Sequence, residues 1–208
     1  MIKVFFLIFE PRGTWERIVR AQRGFAFVLC LYLLPMILVS SAVEGWGLAR
    51  WGKWQPHFQM FRDFSLNCVV SFEAVQAILL LVMVLLSSLI LLRVSQTFHN
   101  RGRFIEAFTT VAYGGSPLLL AHLMDAGQTV NPWTSWTIGI LLTIWVLYQG
   151  IPHVMQPDPT HAFGLYLSAI IVIILTSGMT RLLTAMFLLG QVDFHHSWLT
   201  RRFPDLFQ

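Results

Sequence analysis

The sequence predicts an all-α membrane protein: a bundle of five transmembrane helices with a short amphipathic helix at its N-terminus. Three observations carry that prediction. Of 208 residues, 56% are hydrophobic and only 12% charged, about half the charged share of an ordinary soluble domain. A soluble chain of this size still has to cover its surface with polar groups, and the positive mean hydropathy of +0.65 says that this one does not. The apolar residues fall into five runs near the ~20 residues that cross a bilayer. Finally, lysines and arginines flank these runs instead of forming one basic patch, as membrane-flanking charges do. The pI near 9.5 therefore does not imply nucleic acid, because no contiguous basic surface exists to neutralise phosphates.

The spans are predicted over residues 24–43, 72–92, 104–124, 133–151 and 162–189. Residues 1–23 precede the five-helix domain at 24–189, and residues 190–208 form an outer tail. The first run is uncharged and holds Pro35, which predicts a kink; it is too long for the apolar core of a cleaved leader. Residues 72–92 contain the strongest apolar run, AILLLVMVLLSSLILL. The third span is the weakest, broken by Gly114, Gly115 and Pro117. The fifth is long enough to tilt. No pair of spans shares a polar pattern, so an inverted repeat is not expected. Cys30 and Cys68 read as small hydrophobes.

Orientation follows from the flanking cations. Lys3, Arg12, Arg17, Arg20, Arg23, Arg93, Arg101 and Arg103 fall on one side; Arg50, Lys53, Arg62, Arg201 and Arg202 fall on the other. The excess places the N-terminus in the cytoplasm and the C-terminus outside. Two segments read as interfacial. Over residues 12–23, Trp15, Ile18 and Val19 share a helix face opposite arginines, as in a helix lying in the headgroup plane. The connection after the first run interleaves Trp46, Trp51, Trp54, Phe58, Phe61 and Phe64 with basic residues, the composition of an aromatic belt.

Ionisable residues within spans are costly and mark candidate sites. Arg181 lies toward the outer end of the fifth span, and Glu44, Glu73 and Asp125 end spans one, two and three on the same side. A pair of Arg181 with Asp125 or with Glu73 is therefore within geometric reach. Glu106 opens the third span, where a carboxylate favours the helix dipole. His122 and Asp125 lie three apart on one helix face, and His195 and His196 follow in the tail. Nitrogen and carboxylate ligands of this kind suit zinc or a similar metal, although no tight metalloenzyme spacing accompanies them. Tyr113, Ser116 and Pro117 in span three, with Tyr148 and Gln149 in span four, are the polar candidates for a transport path. No nucleophile elbow, phosphate-binding loop or dinucleotide fingerprint occurs, so no catalytic residue is assigned.

Several segments resemble the Yip family. The opening Glu10-Pro11-Arg12-Gly13-Thr14-Trp15-Glu16-Arg17-Ile18 resembles its proline-led amphipathic lead-in. Arg101-Gly102-Arg103-Phe104, followed by Ala112-Tyr113 and Ser116-Pro117, looks like its turn, tyrosine and proline signature. Tyr148-Gln149-Gly150-Ile151 and then Ala162 are similar to its fourth-to-fifth turn. The resemblance implies five helices with the N-terminus cytoplasmic. Eukaryotic members act in membrane traffic and bind Rab-type GTPases; they carry a long cytosolic N-terminal region that this sequence does not show. The likeness is closer to the short bacterial members, which implies a bacterial inner membrane. The expected function is a non-enzymatic membrane factor that interacts with lipids or partner membrane proteins. The alternatives are a small transporter or channel and, behind it, a metal-dependent membrane enzyme. Oligomeric state is not specified: Gly114-Gly115 lacks the four-residue spacing of a dimer motif.

Overall fold

A computed structural model describes residues 2–55, 60–98, 102–158 and 160–188. Five of its helices are long and apolar enough to cross a membrane: Phe25–Trp51, Leu66–Thr97, Phe104–Ala126, Pro132–Val154 and Ala162–Leu188. They run up and down, so that α1 (Ile2–Phe9), α2 (Pro11–Arg20) and residues 155–158, which follow the fourth span, share one end of the bundle. A small antiparallel hairpin shares the other end, with β1 (Lys53–Gln55) and β2 (Met60–Arg62) in the register Lys53↔Arg62, Trp54↔Phe61 and Gln55↔Met60. These are called the N-terminal end and the hairpin end. Leu31, Leu38, Leu141, Trp145, Leu175 and Met179 are all at least half exposed around the outside. A surface so apolar is stable only against lipid, and the protein is an integral membrane protein.

Local chemistry explains how each helix begins and bends. In the first span the residues Leu29–Leu33 form a wide π-helical turn just ahead of Pro35. Pro35 has no N–H for the Leu31 carbonyl and its ring crowds that turn, so the helix widens there instead of breaking. Gly52 closes the span at φ 65°, a conformation that a side chain disfavours. The second span opens on Ser65, whose Oγ accepts from Cys68 N at 3.3 Å. The fourth opens on Asn131, whose Oδ1 accepts from Trp133 N at 2.9 Å, with Pro132 in the first turn.

Both of the first two spans are longer than their hydropathy predicts. The first continues eight residues beyond Val43, through Glu44, Gly45 and Trp46 to Trp51, and the second starts at Leu66 instead of Phe72. Glu44 ended the apolar run in the sequence, yet it is fully buried and hydrogen-bonded across to the second span, so the helix carries on past it. The third span is the central one. Its apolar window is 72% buried, against at most 39% in the others, so its neighbours are side chains more than lipid tails. That position tolerates polar residues and explains its low hydropathy.

Gly47 lets the first and third spans meet. A Cβ there would lie 2.5 Å from the Ala126 carbonyl oxygen and 2.7 Å from its Cα, contacts that only backbone movement relieves. Gly47→Ala is expected to lower stability by about 1–3 kcal/mol, the range for overpacking. The check is the melting temperature of the protein in detergent, with Gly24→Ala as control, since nothing lies within 4 Å of a Cβ at Gly24.

The N-terminal segment departs from the expected interfacial helix. It forms two helices, α1 and α2, and the apolar face of α2 covers protein. Trp15 is completely buried and Ile18 nearly so. The Trp15 indole donates to the Val146 carbonyl at 3.1 Å and lies over Gly150, where a Cβ would collide with the ring. Of the aromatic segment, Trp46 and Trp51 are exposed and pack edge to face at 4.8 Å. Phe64 instead joins Phe72 and Phe187 in a buried cluster, and Phe58 lies outside the described residues.

Candidate functional site

All five spans contribute a polar group to one buried cluster at the hairpin end. His122 and Asp125 sit on the 3₁₀ turn that ends the third span, His122–Ala126; residues three apart eclipse in that geometry, so both side chains project to the same side. Arg181 arrives from the fifth span and is almost completely buried. Its guanidinium donates to Asp125 Oδ2 at 2.6 Å, to the Pro132 carbonyl at 2.9 Å through Nε, and lies 3.3 Å from His122 Nδ1 through Nη1. The planar fork of arginine serves three acceptors at once, which a lysine ammonium cannot reproduce. Ser135 of the fourth span donates to Asp125 Oδ1 at 2.7 Å, so both oxygens of that carboxylate are engaged.

Glu44 of the first span completes the cluster. Gln76 Nε2 donates to Glu44 Oε2 at 2.5 Å, and His122 Nδ1 lies 3.9 Å from the same oxygen. Lys53 closes the hairpin end from β1. Its ammonium donates to the carbonyls of Asp125 at 2.6 Å and Gly127 at 3.0 Å. Burial pushes its pKa below the ordinary lysine value, opposed by the charges of Asp125 and Glu44. His122 Nδ1 also lies 3.4 Å from Asp125 Oδ2, so the imidazole stands between the Asp125 and Glu44 carboxylates and the Arg181 guanidinium.

Of the two ion pairs within reach in the sequence, Arg181 with Asp125 is the one that forms. Glu73 is buried nearby on the second span but makes no ion pair among the described residues. The ligand atoms of Glu44, His122 and Asp125 lie within 4.8 Å of one another, close enough together to hold a metal ion. Two of the expected metal ligands, His122 and Asp125, thus come together. His195 and His196 lie outside the described residues. The guanidinium occupies the atoms that zinc would need, since Arg181 holds Asp125 Oδ2 and faces His122 Nδ1.

The residues singled out for a path between spans three and four do not converge. Tyr113 is buried, with its ring 4.1 Å from that of Tyr32 and 6.4 Å from that of Trp15. Ser116 donates to the Tyr113 carbonyl at 2.5 Å, the carbonyl that Pro117, four residues on, leaves without its helical donor. Its role there is to repair the helix. Tyr148 is 57% exposed and meets Tyr166 edge to face on the outer surface. Gln149 accepts from Arg12 Nε at 3.1 Å. Glu106 forms a capping box with Arg103, accepting from its backbone N–H at 3.0 Å and its guanidinium at 3.1 Å.

In the sequence Glu44 stands at the end of its span without a site role, Lys53 reads only as a flanking cation, and Gln76 and Ser135 carry no mark of their own. The available signal was spacing: Gln76 follows Glu73 by three residues within an otherwise apolar run, which places two polar side chains on one helix face.

At the N-terminal end a cavity of about 440 Å³ opens between α2 and the third and fourth spans, lined by Gln22, Arg23, Arg103, Thr109, Tyr113 and Gln156 among others. In comparisons with known proteins, the family model described as the Yip1 domain matches residues 5–180. No curated protein and no solved structure matches the chain.

Proposed function

Because the chain belongs to the Yip1 domain family, we propose that it is a non-enzymatic membrane factor that interacts with lipids at its N-terminal end, which faces the cytoplasm. One observation carries this reading: apolar side chains fill most of the interior between the polar groups of the two ends, with the buried Thr143, three residues from Ile140, as a polar exception. Met36, Leu80, Leu119, Ile140 and Ile173 fill the interior between the Arg181 cluster and Tyr113, each at most 6% exposed. Along the second span Ser88 donates to Val84 and Ser87 to Met83 within their own helix, and the Ser87 hydroxyl also meets that of Thr176 on the fifth span at 2.7 Å. A solute crossing the bundle meets no continuous polar lining among the described residues.

The N-terminal end, in contrast, offers cations beside a cavity. Arg23 lies over the Phe27 ring at 4.3 Å and lines the space under α2 together with Arg103, which is paired there with Glu106 at 3.1 Å. Near a membrane surface each such charge attracts anionic lipid by about 1 kcal/mol. Replacing both arginines, Arg23→Gln with Arg103→Gln, is expected to weaken retention of anionic lipid up to roughly thirtyfold. The measurement is lipid mass spectrometry on protein purified in mild detergent. Unchanged anionic lipid in the double variant, or solute flux into proteoliposomes above that of empty vesicles, overturns the reading.

A further inference from the structure

The first span, Phe25–Trp51, begins at the cavity under α2 with no side-chain cap. Gly24 is its N-cap and lines the cavity, and the helical bonding starts with Val28 N donating to the Gly24 carbonyl at 3.2 Å. The N–H groups of Phe25, Ala26 and Phe27 therefore have no helical acceptor, and such a terminus draws anions. A Cβ at Gly24 would meet nothing within 4 Å, so the space before this terminus is open. The third span starts at the same cavity, but there the Glu106 carboxylate already accepts from the Arg103 N–H at its terminus.

A buried side chain at the same cavity also lacks an acceptor. Tyr113 lines the cavity, is completely buried, and has the Arg23 guanidinium as its charged neighbour. A guanidinium only donates, so whether or not it bonds the phenolic oxygen, the Tyr113 O–H finds no acceptor among the described residues. A buried donor left in that state is costly. Arg23 has no carboxylate partner among the described residues, whereas Arg103 is paired with Glu106. Gln22 at φ 38° and Gln156 at φ 42° are the non-glycine residues with left-handed backbone among the described residues, and both line this cavity. That conformation is costly for a residue with a side chain and gathers at ligand sites. The starts of the first and third spans and the end of the fourth at Val154 bound the cavity, which sets it at the depth of lipid headgroups.

We propose that this cavity binds one anionic phospholipid by its phosphodiester, held by the Arg23 guanidinium, the Tyr113 hydroxyl and the N–H groups that open the first span. Donors and one unpaired cation suit a singly negative headgroup without an amine, of the phosphatidylglycerol kind. A headgroup with an ammonium would set that cation beside Arg23, while both oxygens of Glu106 are already held by Arg103. Such a site rests on the lipid reading and narrows general attraction at the N-terminal end to one position.

The test is lipid binding to the full chain purified in mild detergent, read by native mass spectrometry and by melting temperature. Phosphatidylglycerol is expected to bind one per chain, about fivefold or more tighter than phosphatidylethanolamine, and to raise the melting temperature. Inorganic phosphate at the same concentration is expected to do neither. Tyr113→Phe keeps the ring and removes the hydroxyl. It should melt without lipid no lower than the wild type, yet bind phosphatidylglycerol about tenfold more weakly. Arg23→Gln should weaken binding about fivefold. Arg20→Gln removes an exposed cation of the same end that lies outside the cavity, and should leave the binding unchanged. Equal losses in Arg23→Gln and Arg20→Gln with none in Tyr113→Phe indicate diffuse surface attraction, which overturns this site and leaves the lipid reading standing. Equal binding of the two lipids overturns the site, as does stabilisation by inorganic phosphate that Tyr113→Phe abolishes, since the ligand is then a free anion. Failure of the wild type to bind any anionic lipid overturns the site and the lipid reading together.

Discussion

Arg181→Leu is expected to be the most damaging single substitution at the hairpin end. It leaves the Asp125 carboxylate, completely buried, with only Ser135 and the adjacent His122 ring beside it among the described side chains, and removes the donors to Pro132 and His122. Breaking a buried ion pair by deleting one partner costs about 3–5 kcal/mol, because the surviving charge stays in a low-dielectric interior. The expected outcome is a large drop in melting temperature in detergent and poor recovery of monodisperse protein. Asp125→Leu combined with Arg181→Leu should recover part of that loss, since no charge is then stranded; the two effects are non-additive by about 1–3 kcal/mol. Arg181→Lys should fall between wild type and leucine, because one ammonium cannot serve the carboxylate, the imidazole and the carbonyl together. Wild-type melting of Arg181→Leu would show that the cluster does not hold the spans together.

Trp15→Ala is expected to cost about as much at the N-terminal end, about 3–5 kcal/mol for a fully buried tryptophan. The indole fills the space over Gly150, meets the Tyr113 ring edge to face, and supplies the donor to the Val146 carbonyl. Its loss should undock α1 and α2 while the five spans stay assembled. Limited proteolysis reads this directly: cleavage within residues 2–24 should become fast and the rest of the chain should remain protected. Trp15→Phe keeps most of the packing but removes the N–H, for an expected cost of about 1 kcal/mol. Trp46→Ala serves as control, since Trp46 is 60% exposed and its removal opens no cavity. If the two alanine variants are equally resistant to protease, α2 is not held by Trp15.

Both predictions concern residues that the sequence marked, yet their partners came from the fold. Hydropathy identified the five spans because lipid contact imposes composition directly: a helix facing hydrocarbon has to be apolar along about 20 residues. The same logic picked out Arg181 and Asp125 as expensive residues in an apolar setting. It placed Trp15 and Ile18 on one face of a helix, but not what that face covers. The structure sets α2 against the third and fourth spans, where Gly150 and Gly114 leave room for the indole.

The sequence by itself determined the class of the protein, the number of spans, and the end of the bundle at which its ionisable residues gather. Each of these depends on composition read along one helix. Tertiary structure decided the choice between Asp125 and Glu73 for Arg181, the inclusion of Glu44 and Gln76, and the central position of the third span. Those are relations between residues as far apart as Glu44 and Arg181, brought side by side by helix packing. Hydropathy registers only whether a side chain is polar. Whether a polar residue ends a span, as Glu44 was expected to do, or lies buried within it depends on a partner that another helix supplies.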